Sequence, residues 1–164
     1  MYSRETNQSL RKTILEKFDK IDSIFTERSL STKIKTHNII LVDDDAVSNS
    51  LTKSLIYKET DITNILVFKK PEDVIDYLTE NSFVPDILFI DYIFNNSAMR
   101  GTDLIYKLKS ENLIPSSAKT VILTARYNIQ EELSKDKTLE VALKPLSMEF
   151  LKEHLNLEFT LEKI

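Results

Sequence analysis

Three apolar runs in this chain lead into side chains that can do chemistry. "NIILV" (38–42) runs straight into Asp43, Asp44 and Asp45, "DILFI" (86–90) into Asp91, and "TVILT" (120–124) ends on Thr124. A fourth run, "EVALK" (140–144), ends on Lys144. Two carboxylates ~5 Å apart repel by about 3 kcal/mol at an effective dielectric of ~20, so several gathered in one place require a cation. Carboxylate oxygens suit a hard divalent ion, and a site with few protein ligands suits magnesium, which keeps several waters. The Lys144 ammonium, set opposite the acids, supplies the remaining positive charge. An anion such as a phosphoryl group then becomes acceptable beside a carboxylate, and Asp91 can act as the nucleophile that takes it. Thr124 and Lys144 can bond the equatorial oxygens whose charge must be stabilised in such a transfer.

These residues work together only if the fold gathers them. With "NILVF" (64–68), five short runs recur, rich in Ile, Val and Leu and continuous rather than alternating. That is how strands buried on both faces of a parallel sheet read. Segments with helical spacing separate them: Val47, Leu51 and Leu55; Val74 and Leu78; Leu104 and Leu108; Ile129 and Leu133. A fifth helix carries Phe150, Leu151 and Leu155, and Pro71 suits a first helical turn while Pro115 sits in a connection. Strand–helix alternation repeated five times predicts an α/β domain with helices on both faces of the sheet. Ligands of such sheets bind beyond the carboxyl ends of the strands, which is where Asp43, Asp44, Asp91, Thr124 and Lys144 fall.

Residues 1–36 read as a separate amphipathic helical extension, and residues 37–164 as the α/β domain. Leu10, Ile14, Phe18, Ile21 and Phe25 form a helical stripe. The stripe could dock on the domain, pair with its copy to give a homodimer, or remain a loosely ordered arm. The 164 residues suffice for one domain with a core, and a formal net charge of −4 favours neither nucleic acid nor an anionic membrane as partner. With no cysteine, thiolate catalysis and disulfides are excluded, and one glycine is too few for Rossmann or Walker phosphate loops. No apolar run reaches a membrane span and no signal-peptide core is present, so the expected location is cytoplasmic. Asp45 reads as the helix cap ahead of Ala46, Gly101 as a turn or helix-start residue needing backbone freedom, and His37 and His154 as surface side chains.

The order "VDD", Asp91 after "DILFI", "VILTA" and "ALKP" resembles the receiver domain of bacterial two-component response regulators, over about residues 37–160. The resemblance implies a doubly wound, flavodoxin-like (βα)5 fold with strand order 2-1-3-4-5. It implies Asp91 as phosphoacceptor, Asp43 and Asp44 as the acidic pair holding Mg2+, and the backbone carbonyl of Ile93 as a further metal ligand. Thr124 corresponds to the switch hydroxyl, Ala125 to the small residue beside it, and Lys144 to the phosphate-binding lysine. Pro145 corresponds to the proline after that lysine, often joined through a cis bond. The implied partners are a histidine kinase or phosphotransfer protein as donor and a downstream protein target, with a signalling rather than enzymatic role.

Two features depart from the family pattern. Ten positions separate Asp91 from Gly101, a longer loop than most receivers have. Val141 stands where an inward-swinging aromatic is usual, and Tyr127 is the nearby aromatic that could substitute. The segment between Thr124 and Lys144 is also short, which predicts an abbreviated fourth helix. Two other readings stay open: a receiver-like scaffold serving interaction or dimerisation without phosphorylation, and a magnesium-dependent aspartyl-nucleophile phosphatase. The latter requires a second aspartate two positions after the first, where this chain has Ile93.

Overall fold

A computed structural model describes residues 37–59 and 64–154. The stripe between Leu10 and Phe25, and Leu155 of the last helix, lie outside the described residues. The elements run β1 (Asn38–Val42), α1 (Ala46–Glu59), β2 (Asn64–Phe68), α2 (Pro71–Glu80) and β3 (Ile87–Asp91). They continue with α3 (Gly101–Ser110), β4 (Lys119–Thr124), α4 (Tyr127–Leu133), β5 (Glu140–Leu143) and α5 (Met148–His154). Every strand pairing is parallel, in the order β2-β1-β3-β4-β5. The expected α/β architecture and strand order are both present.

Side chains alternate across a strand, so each continuous apolar run feeds two cores. Ile39 and Leu41 of β1 join Phe89, Leu123, Ile56 of α1 and Leu151 of α5 on one face. Ile40 and Val42 join Ile90, Ile122, Val74 and Leu78 of α2, and Leu104 and Leu108 of α3 on the other. Pro71 opens α2, where its missing N–H costs nothing. β3 starts one residue later than the apolar pattern suggests, because Asp86 leaves the strand to bond its neighbours. Its carboxylate accepts the Asn38 N–H at 2.8 Å and its carbonyl the Lys119 N–H at 2.9 Å, tying the amino ends of β1 and β4 to the start of β3. Among the described residues, no helix is long and apolar enough to cross a membrane.

Three sequence expectations are corrected. Helix α1 does not bury the Val47–Leu51–Leu55 stripe: Val47 and Leu51 are 66% and 59% exposed, and only Leu55 is partly covered. The buried face carries Asn49, Thr52 and Ile56 instead. Asn49 points inward because its side-chain amide donates to the Asp43 carbonyl at 2.7 Å, which rotates the helix about its axis relative to the apolar stripe. His37 is buried rather than on the surface. Gly101 starts α3, as the sequence suggests, but has no positive φ. What it needs is room, since a Cβ there would collide with the Asp91 carbonyl oxygen and crowd Ile122 and Ile90. Glycine lets the start of α3 close on the end of β3, where the Gly101 N–H reaches the Tyr92 carbonyl at 3.0 Å.

The orientation of α1 gives a direct test. Ile56→Ala removes a fully buried side chain and is expected to cost about 2–5 kcal/mol of stability. Leu51→Ala, on the exposed face, is expected to change it by no more than about 0.5 kcal/mol. Denaturant unfolding of both variants measures the contrast, and equal losses would reverse the assignment of the buried face.

Candidate functional site

β1 and β3 are neighbours, so the residues that terminate them are neighbours too. Asp43 follows β1 and Asp91 closes β3, with β4 next in order and β5 beyond it at the edge. Thr124, the last residue of β4, pairs with Leu143 of β5, and its carbonyl accepts the Lys144 N–H at 2.8 Å. The Lys144 backbone is thereby fixed at the same rim as the acids. Its ammonium lies 2.5 Å from Asp43 Oδ2 and 3.1 Å from Asp91 Oδ1. The expected gathering of Asp43, Asp91, Thr124 and Lys144 is therefore present as geometry.

Asp43 is almost wholly buried, and both of its oxygens accept hydrogen bonds. Its Oδ1 accepts the Asp45 N–H at 2.9 Å, while Oδ2 accepts the Ser48 hydroxyl at 2.6 Å as well as Lys144. A carboxylate so placed is tolerable only with such partners. Asp45 is the helix cap that the sequence suggests, its Oδ1 accepting the N–H groups of Val47 at 2.8 Å and Ser48 at 3.3 Å. Asp44 turns the other way, toward the long β3–α3 loop. Its Oδ2 accepts the Asn95 backbone N–H at 2.9 Å and the Asn95 side-chain amide at 3.0 Å.

One oxygen from each of Asp43, Asp44 and Asp91 lies within 4.8 Å of the others. An octahedral magnesium with bonds of ~2.1 Å places its ligand oxygens roughly 3–4 Å apart, so a small side-chain adjustment brings these three onto one ion. The donor set is all hard oxygen, and the acid cluster is compatible with Mg2+. An open cavity of about 210 Å³ adjoins it, lined by Asp91, Ile93, Asn95, Thr124, Ala125 and Lys144 among others. Ile93 and Ala125, both singled out in the sequence, thus border the same space as Asp91.

Burial pushes the Asp91 carboxyl above its ordinary value, and the Asp43 charge adds to this; Lys144 pulls the other way without cancelling it. Burial also works against the Lys144 ammonium. Its hydrogen bond to Asp43 and the charges of Asp91 and Asp43 outweigh that, so its pKa is raised and it stays protonated. The Thr124 hydroxyl oxygen accepts the Arg126 N–H at 3.2 Å, which leaves the hydroxyl proton free to be donated.

The remaining sequence candidates surround this centre. Lys144–Pro145 is a cis peptide bond. Val141 is partly buried against the α2–α3 side of the core. Tyr127 opens α4 and is 68% exposed, turned to solvent rather than into the site. Helix α4 is short, as the spacing predicts, and buries none of its residues fully. Sequence reasoning missed Ser48, Asn49 and Asn95. Ser48 and Asn49 follow Asp43 within one helical turn of the cap, a spacing that allows contact with Asp43. Nothing in the linear pattern singles out Asn95 in the loop.

No protein-family model and no curated relative matches the chain, but many solved structures do. A two-component response regulator from Cytophaga hutchinsonii superposes with a TM-score of 0.60 at 20% identity, over 74% of this chain and 96% of that one. The response regulatory domain of mrkE from Klebsiella pneumoniae gives 0.57 at 19% identity, over 73% and 95%. A CheY-like receiver domain from Methylobacillus flagellatus gives 0.58 at 17% identity, over 74% and 98%. The chain has the fold of response-regulator receiver domains.

A raised Asp91 pKa has a consequence for stability. The folded protein holds this proton more tightly than the unfolded chain, so the group's contribution is fully present below about 3.8, its ordinary value, and is lost as pH rises through the raised value. Without divalent ions, Asp91→Asn is therefore expected to melt a few degrees above the wild type near neutral pH, with Lys144 retaining Asp43. The gap should close as the pH falls toward ~4. Thermal melts across that range decide it, and a variant less stable at neutral pH would contradict the account.

Proposed function

We propose that this receiver fold is a working phosphoacceptor, with Asp91 taking a phosphoryl group from the phosphohistidine of a histidine kinase or phosphotransfer protein. The observation that carries the reading is the Lys144 ammonium shared between Asp43 and Asp91 at 2.5 and 3.1 Å. It neutralises part of the acid cluster and stands where an incoming phosphoryl oxygen would need a partner.

In the transfer, an Asp91 carboxylate oxygen forms the new bond to phosphorus as the phosphorus–nitrogen bond of the donor breaks. The electron pair of that bond stays on the departing imidazole nitrogen. Phosphorylation removes the Asp91 carboxylate charge that Lys144 was bonding, so the ammonium is released to a phosphoryl oxygen while Asp43 keeps hold of it. The Thr124 hydroxyl donates its free proton to a second oxygen. Asp44, Asp91, the Ile93 carbonyl and Asp43, directly or through water, would hold Mg2+. When bound, that ion supplies positive charge to the phosphoryl oxygens.

Consumption of Thr124 and Lys144 as phosphoryl partners pulls on the ends of β4 and β5. This biases the surface formed by β4, α4, β5 and α5, which a downstream protein target would read. Turnover chemistry is not part of this reading, since Ile93 leaves no second carboxylate in the phosphatase position. The site of action is the cytoplasm, where such donors operate.

Incubation with a small phosphodonor and Mg2+, followed by mass mapping, tests the proposal. One phosphoryl group is expected on Asp91, absent from Asp91→Asn and lost when the metal is chelated. Lys144→Ala is expected to label roughly 100-fold more slowly, as for removal of one charge-stabilising donor. An unlabelled wild type would favour the scaffold reading, and consumption of donor without a lasting adduct would favour the phosphatase.

A further inference from the structure

We propose that Asn95 makes Asp44 a one-oxygen ligand and thereby tilts the ion preference of the acid cluster toward magnesium and away from calcium. This rests on the reading of the cluster as a divalent-ion site. Asn95 directs two donors at a single acceptor, its backbone N–H at 2.9 Å and its side-chain amide at 3.0 Å, both on Asp44 Oδ2. A carboxylate oxygen has two lone pairs, so Oδ2 is filled and Oδ1 is what remains for an ion.

Asn95 does not depend on Asp44 for its own position. The preceding Phe94 is 4% exposed and packs in the α2–α3 core. The following Asn96 donates to the Lys69 carbonyl at 3.3 Å, and the Ser97 hydroxyl donates to Glu72 Oε1 at 2.5 Å. The lengthened loop is thus anchored on both sides of Asn95 and holds its two donors against Asp44 from outside.

Magnesium demands near-octahedral geometry with one oxygen from each carboxylate, whereas calcium takes six to eight ligands and readily accepts both oxygens of one carboxylate. An Asp44 with one oxygen occupied meets the first requirement and denies the second. Partners that orient a ligating carboxylate commonly control metal affinity by about 10- to 100-fold.

The test titrates Mg2+ and Ca2+ separately into the wild-type chain, Asn95→Ala, Lys107→Ala and Asp44→Asn by calorimetry. Asn95 is exposed, so its replacement leaves the core intact. Asn95→Ala is expected to lose about tenfold in Mg2+ affinity while Ca2+ affinity holds or rises, with Lys107→Ala, on the exposed face of α3, leaving their ratio unchanged. A parallel fall of both affinities, or an unchanged ratio, overturns the proposal while leaving the metal site standing. A wild type with no ion binding sensitive to Asp44→Asn overturns the divalent-ion reading and the proposal with it.

Discussion

A single ammonium shared between two carboxylates is the constraint on which the rest of the structure depends. Parallel strands deliver their terminal residues to one rim, and β1 and β3 both deliver acids there. Asp43 is nearly buried, so its charge cannot be left to water. Lys144, the first residue past the edge strand, answers it at 2.5 Å. Such a pair contributes little net stability, because desolvation offsets most of the Coulomb gain. Its effect is to fix geometry: three strand ends are held in one arrangement while the charge balance remains open to change by a further anion or cation.

The sheet order explains why the arrangement sits where it does. Chain direction around the sheet reverses between β1 and β3, since β2 lies on one side of β1 and β3 on the other. At such a reversal the loops leaving adjacent strands part to opposite faces and leave a crevice. The loop after β1 carries Asp44 and Asp45, and the loop after β3 carries Ile93 and Asn95. Gly101 completes the geometry from below, because only a residue without a Cβ lets α3 begin against the Asp91 carbonyl.

The strands and the centre of the site were legible in the sequence for one reason. Each buried strand is a continuous apolar run, and Asp43, Asp91, Thr124 and Lys144 stand at or next to the end of one. Helix α1 was not legible, since its apolar stripe of Val47 and Leu51 faces outward while Asn49 and Thr52 face inward. Hydrophobic periodicity assumes that burial follows polarity. It fails where a side-chain hydrogen bond, here from Asn49 to the Asp43 carbonyl, decides the helix rotation. The grip of Asn95 on Asp44 was invisible for another reason: the sequence separation of 51 residues is bridged only by the folded loop.

Helix α4 spans just seven residues and buries none of them completely. Of the strands that flank it, β4 ends in Thr124 and β5 in Leu143, directly before Lys144. A segment with so few buried side chains sits at the low end of the local-unfolding scale, and its backbone can be rewound at small expense. The flank between these two strands is accordingly a compliant part of the described molecule. A rearrangement begun at the rim would spend its displacement there first, and the two apolar layers on either side of the sheet would hardly register it.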